Sequence, residues 1–333
     1  MIPEISLLVM LVRLVEHIPT PPPPTKRNRG RPAFYSDRLF LKALVIMIVK
    51  HLHTPYELLC VLQQSTPEMA ALRPLLIEAG RYPTRRTWER RLRALPDKLP
   101  AQIGCLGCHL VALIQPWERC GRAAAADSTV LSARGGVWHR KHREAGEVPH
   151  TSIDTEAAWT KSGWHGWVYG WKLHLITVVA QVWIPLAAQL TPANADDSAE
   201  AEKLVREVGL PCEVRYLLGD QHYNTPLLRA LCALQGWFLI ATHRGKRRLN
   251  DMGREVRRIF HKLRSVAMEN FNEHFKGIFD AHGAVPTRGL VATRRFALGA
   301  VFVYQLALLY RYEHDGLRGS DLNVGLKAFL KAA

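Results

Sequence analysis

RYLLGDQHYN, residues 215–224, sets the problem. Tyr216, Leu217 and Leu218 make a short apolar run of the kind that forms a buried strand. The run ends on an acid, Asp220, followed by Gln221, His222 and Tyr223. Asp is common in turns, and that is one reading. The other is a carboxylate held at the tip of a rigid strand, as a metal ligand needs to be.

Outward from this stretch, strands and helices alternate. Residues 168–179 (VYGWKLHLITVV) and 182–192 (VWIPLAAQLTP) read as paired strands, and 196–209 as a helix with acids in its first turns. Residues 213–220 read as a strand, 225–236 as a helix ending at Gly236, 237–244 as a strand and 254–279 as a long helix. The alternation predicts an α/β fold, a partly parallel sheet covered by helices. In such sheets, ligand sites lie beyond the carboxyl ends of strands. Asp220 is at one such end. Asp127, within AAAADSTVL (123–131), is in or just after a strand that would also be central.

A third acid should come from a helix packed beside them. In 254–280, Phe260, Leu263, Ala267, Phe271, Phe275 and Ile278 recur at steps of three or four and form the core stripe. Lys262, Glu269, Asn272, Glu273 and Lys276 share another face, so Glu269 and Glu273 both stand where they can look into one site. A solvated face of i,i+4 pairs is the plainer alternative.

The first part of the chain is basic and helical. PTPPPPT (19–25) is a stiff extended linker between an apolar first helix and KRNRGRP (26–32). Arg29, Gly30, Arg31 and Pro32 spell the core of an AT-hook, an arm suited to a narrow minor groove. A solvated basic linker is the alternative. In TRRTWERRLRAL (84–95), Thr84 can cap a helix whose Trp88, Leu92 and Leu95 face the core. Arg86, Arg90 and Arg93 form a ridge on another face, fit for a major groove or a line of phosphates.

Composition agrees. Lys plus Arg number 45 against 29 Asp plus Glu, a formal net charge of +16, and an excess of that size points to a polyanion, nucleic acid before membrane. At 333 residues with 48% hydrophobic residues, the chain can build a core without staples. Of six cysteines, Cys105 and Cys108 have CxxC spacing, but zinc would need a second close pair, and buried thiols are the better reading. The apolar start carries Glu4, Arg13 and Glu16 and does not read as a signal peptide. The run 296–312 is short for a span and reads as a buried helix, so a cytoplasmic, nucleoid-associated protein is expected.

Taken in order, these segments resemble the DDE transposases of bacterial insertion sequences, the IS-four and IS-five group, across about residues 30–315. AADSTVL resembles that family's first-strand Asp motif, YGWKLHL its second strand, LTPANADDS the turn after its third strand, and GDQHYN its strand-end Asp with a Tyr. RSVAMENFNEHFK resembles the helical Arg–Glu–Lys signature. Six residues separate Glu269 from Lys276, as the signature asks, and Glu273 does not fit it. Arg264 is one place from the usual Arg spacing, and the usual Tyr upstream is not evident.

The resemblance implies an RNase H-like mixed sheet flanked by helices, with a helical N-terminal DNA-binding region. It implies catalytic, metal-holding Asp127, Asp220 and Glu269. Mg²⁺ or Mn²⁺ is expected as two ions roughly 3.5–4 Å apart. Lys276 and Arg264 would contact DNA, with HRGKRR (243–248) as a strand-binding loop. The double-stranded substrate would be the element ends and the target, gripped by a homodimer. Asp154 and Glu156 read as loop residues, and Asp197 as a cap for the helix beginning near Ser198. Trp164, Trp167 and Trp171 with His165 read either as a stacking surface for bases or as strand packing. The expected divisions are 1–25 (helix and linker), 26–115 (basic helical region), 116–318 (catalytic domain) and 319–333 (tail). Two rivals stand beside the transposase: a metal-dependent nuclease on the same fold, and a DNA-binding protein with a dead site.

Overall fold

The computed structural model describes residues 6–22, 34–118, 122–163, 166–207, 214–241 and 251–333. Expectations that fall on Arg29, Arg31, Trp164, His165 and residues 243–248 lie outside the described residues.

The first helices are α1 (Leu7–Leu14), α2 (Asp37–Val49), α3 (Pro55–Leu62), α4 (Pro67–Leu72), α5 (Arg85–Ala94) and α6 (Leu99–Glu118). Ser36, Thr54, Thr66 and Thr84 precede α2 to α5 in extended conformation. Each side chain accepts the backbone N–H three residues on. That satisfies a donor which every helix start leaves open. In α3 and α4 a proline follows the cap, where its missing N–H costs nothing.

Then come β1 (Ala123–Ser132), α7 (Arg140–Glu144), β2 (Ala158–Ser162), β3 (Gly166–Val178), β4 (Pro185–Pro192), α8 (Asp197–Glu207), β5 (Tyr216–Gly219), α9 (Pro226–Leu234), β6 (Phe238–Ala241), α10 (Asp251–Ile278), α11 (Leu290–Glu313) and α12 (Leu326–Lys331). The strands form one mixed sheet. β1 lies between β3, antiparallel to it, and β5, parallel to it, and β6 continues parallel to β5. β3 takes β4 along 171–177 and β2 along 166–170, both antiparallel. The order β4-β3-β1-β5-β6 is the helix-flanked mixed sheet expected of an RNase H-like domain. β2 was not legible in the sequence: AWTKS is short, polar and only half-buried.

The N-terminal helix and the segment read as a tail are both docked. In α1, Leu8, Leu11 and Val12 are fully buried, and the helix packs on α2 and α11. Arg38 Nη2 donates to the Ile18 carbonyl and Gln102 Nε2 to the Pro19 carbonyl, both at 2.9 Å, so the chain is fixed as far as Pro19, where the expected linker begins. At the other end, α12 buries Leu326 and Leu330, and Lys50 Nζ donates to the Ala333 carbonyl at 2.9 Å.

Among the described residues, α11 alone is long and apolar enough to cross a membrane, but most of it is buried in this core. Its N-terminus explains Asp154 and Glu156. The Gly289 N–H donates to Asp154 Oδ2 at 2.8 Å, and the Leu290 N–H to Glu156 Oε2 at 2.9 Å. Two loop carboxylates thus complete the first turn of the helix and complement its dipole.

Candidate active site

Asp127 and Asp220 are brought together by strand register. β1 and β5 run parallel, with Ala125 beside Leu218 as their last pair; Asp127 and Asp220 each follow two residues on, and Asp220 is close enough to raise the pKa of Asp127. Asp220 also caps the turn Gln221–Tyr223, its Oδ1 accepting the His222 N–H at 2.7 Å. The two sequence readings of Asp220 are therefore compatible: it makes a turn and it faces a second acid.

The turn packs Tyr223 beneath the pair. A Cβ at Gly219 would lie 2.7 Å from Tyr223 Cβ, so only glycine leaves room for the tyrosine there. Burial, with Asp127, Asp197 and Asp220 adding to it, drives the Tyr223 hydroxyl well above the ordinary phenol range. Gly219 and Tyr223 are the site residues whose purpose the sequence did not disclose; the signal was the G-D-x-x-Y spacing.

Asp127 is the perturbed acid. Burial raises its carboxyl to about 6; Arg264 and the Ser128 N–H pull it down, and Asp220 and Asp197 push it up. Arg264 Nη1 donates to Asp127 Oδ2 at 3.1 Å, and the Ser128 N–H to Oδ1 at 2.9 Å. The Arg264 and Asp127 side chains are only 14% and 21% exposed, so water screens this pair weakly. Arg264, expected on DNA, is the counter-charge of Asp127.

That placement fixes the phase of α10. Five residues of helix turn through about 140° net. Glu269 therefore points away from the face that carries Arg264, and it is exposed, as is Glu273. The residue one turn beyond Arg264 is Met268, which is fully buried with Ala267 and Phe271. Among the described residues, no three of His, Cys, Asp and Glu gather closely enough to hold a metal ion. The structure unites two of the three expected carboxylates and leaves Glu269 apart. It also corrects the stripe: Leu263 is 41% exposed, and Met268 takes its place in the core.

Asp197 does not cap its helix. Asp196 does, accepting the Ala199 N–H at 2.9 Å. Asp197 instead takes two hydrogen bonds from Lys172 Nζ, each at 3.1 Å. Beside them His174 is buried, its Nε2 2.8 Å from Thr191 Oγ1. Burial lowers its pKa to about 4, against the opposite pull of Asp197.

Of the residues expected on DNA, Arg86, Arg90 and Arg93 are exposed along one side of α5 and line a cavity of about 510 Å³ with Thr84, Thr87 and Glu89. Trp88 and Leu92 are fully buried behind them. Lys276 is half-buried near the end of α10; burial lowers its pKa and Glu273 opposes the shift. Trp171 belongs to the core, whereas Trp167 is 68% exposed. Cys105 and Cys108 lie part-buried on α6.

The family model of the transposase DDE domain matches residues 118–306, which hold β1 to β6, α10 and both aspartates. Among solved structures, the chain is similar to the piggyBac transposase synaptic complex with hairpin DNA, at 10% identity over 96% of this chain and 76% of that one, with a TM-score of 0.38. It is also similar to the Mos1 transposase paired-end complex with left transposon end, at 13% identity over 85% and 81%, with a TM-score of 0.24. No curated protein matches it.

Proposed function

The chain belongs to the transposase DDE domain family, and from that premise we propose that Asp127 and Asp220 are the carboxylates at which it cuts and joins DNA. The observation that carries the reading is their closeness across two adjacent parallel strands, Asp127 within β1 and Asp220 just past the end of β5, with a guanidinium on Asp127. Such a pair suits a divalent cation. Mg²⁺ is commonly held by one or two carboxylates together with substrate phosphates, and both acids offer hard oxygens. Asp127 is already pressed by Asp220 and Asp197, a repulsion that a cation relieves. Two such ions would activate an attacking oxygen and stabilise a leaving one.

The chain's own residues divide the remaining work. Tyr223 walls the floor of the site against water. Arg264 holds Asp127 until DNA arrives, then passes to a phosphate. Glu269 completes the carboxylate set when α10 turns. Arg86, Arg90 and Arg93 grip the duplex backbone through α5, and Lys276 follows a phosphate beyond the cut. The reactions are hydrolysis of a phosphodiester at an element end, then attack of the freed 3′-hydroxyl on target DNA. Both are in-line displacements at phosphorus, so one site serves both. Coordinated cutting of two ends calls for a dimer on DNA.

A second reading has one observation in its favour: the residue one turn beyond Arg264, which bonds Asp127, is the buried apolar Met268 and not an acid. That suits a chain which binds DNA and no longer cuts it. The test uses a labelled duplex drawn from the DNA flanking the chain's coding sequence, a target plasmid, and Mg²⁺ or Mn²⁺. Cleavage with joining supports the transposase reaction. Cleavage without joining moves the reading to a nuclease, and binding with neither moves it to the inactive form.

A further inference from the structure

The β2–β3 hairpin is an arm. β1 ends at Ser132, beside Gly170, while β3 reaches back to Gly166 with only β2 beside it among the described residues. The arm leaves the sheet at the end towards which β1 and β5 run, the same end that carries Asp220. It is braced at its base. Trp159 Nε1 donates to the Trp138 carbonyl at 3.0 Å, the Tyr169 hydroxyl to the Asp154 carbonyl at 2.6 Å, and the His139 ring stacks on Trp159 at 5.4 Å.

Alternation along β3 puts Trp167 on the side of Leu175, the residue opposite Asp127. They are eight residue steps apart, at most about 26 Å of strand. That is roughly eight base pairs of duplex at ~3.4 Å each. Trp167 is 68% exposed, the only exposed tryptophan among the described side chains. Its cross-strand partner is Lys161, which is also exposed. Lys141 and Arg143 are exposed on α7, which follows His139 at the arm's base. The sequence has no acid from residue 157 to 195.

A lone exposed apolar residue needs no explanation. An indole held out on a braced arm, beside a lysine and in an acid-free stretch, on the side and at the end of the sheet that carries the cutting site, does. We infer that Trp167 and Lys161 form a second DNA contact, the indole stacking on an exposed sugar or base edge and the lysine meeting a phosphate, about eight base pairs from the scissile bond. This rests on the reading of Asp127 and Asp220 as the cutting site.

The test measures binding of the full chain to two duplexes from its flanking DNA, extending 4 or 16 base pairs inward from the cleaved end. Trp167→Ala should weaken binding to the long duplex on the order of tenfold. Trp167→Phe should restore most of it, and Lys161→Ala should lower the salt slope by about one. On the short duplex, the Trp167→Ala variant and wild type should bind alike. Thermal melting of that variant should match wild type, because the side chain is outside the core. The inference is overturned if Trp167→Ala binds the long duplex as wild type does, or loses equally on both lengths. If the length-dependent loss stands but wild type cuts no end with Mn²⁺, the cutting site falls and the contact survives.

Discussion

Asp127 and Asp220 ride on strands; Glu269 rides on a helix. The strand acids are placed by register, which backbone hydrogen bonds fix and side-chain alternation then translates into a face. The helix acid is placed by phase, and one residue of shift swings a side chain through about 100°. Arg264, one place from its usual spacing before Glu269, sits on Asp127, and so Glu269 looks outward. Strand sites are built once and stay; a helix site can be turned out of reach and brought back.

The comparison is most exposed to Glu269→Gln. Joining should fall by at least about a hundredfold, while Mn²⁺ binding to the DNA-free protein, measured by titration calorimetry, stays as in wild type. Weaker Mn²⁺ binding in the free variant would mean that Glu269 is already in the site, and unchanged joining would mean that it never enters.

Next in size is acid sensitivity on the strand side. His174 ionises near 4 in the folded chain and near 6.5 when unfolded. The folded form binds fewer protons in that window, so stability present above 6.5 is lost as pH falls towards 4, on the order of 3 kcal/mol. Asp127, raised to about 6, acts oppositely, costing stability as pH rises from 4 to 6. The measurement is therefore a difference: urea unfolding at pH 7 and 4.5 should show His174→Gln losing about 2 kcal/mol less than wild type. Equal losses would mean that burial of His174 does not govern the slope.

Gly219→Ala should cost about 1–3 kcal/mol, because its Cβ meets Tyr223 at 2.7 Å, and joining should fall with it. A neutral result in thermal unfolding would mean that the turn under Asp220 is soft. The smallest effect is Asp196→Ala, at about 1 kcal/mol for a lost cap, with joining unchanged. A loss of joining there would mean that α8 takes part in the site.

Local rules explain what could be read from the sequence. The Thr84 cap, the β3–β4 pair and the strand-end Asp220 are set by neighbours along the chain. The rest depends on distant contacts. Nothing near Asp154 or Glu156 announces that they cap a helix more than 130 residues on. α1 and α12 look detached until α11 offers them a surface. In α10 the periodic stripe admits two phases, and Leu263 and Met268 exchange places between them. Only the packing of Arg264 against β1 decides which is occupied.

Whether Asp127 and Asp220 form the cutting site is decided by Asp220→Asn in the cleavage-and-joining reaction. Asparagine is as good a cap as aspartate, so the His222 N–H keeps its partner and only the charge is removed. The variant should fold and bind duplex as wild type does, yet neither cut nor join with Mg²⁺ or Mn²⁺. A variant that still cuts and joins would reduce Asp220 to the cap of a turn, and the site would have to be sought elsewhere.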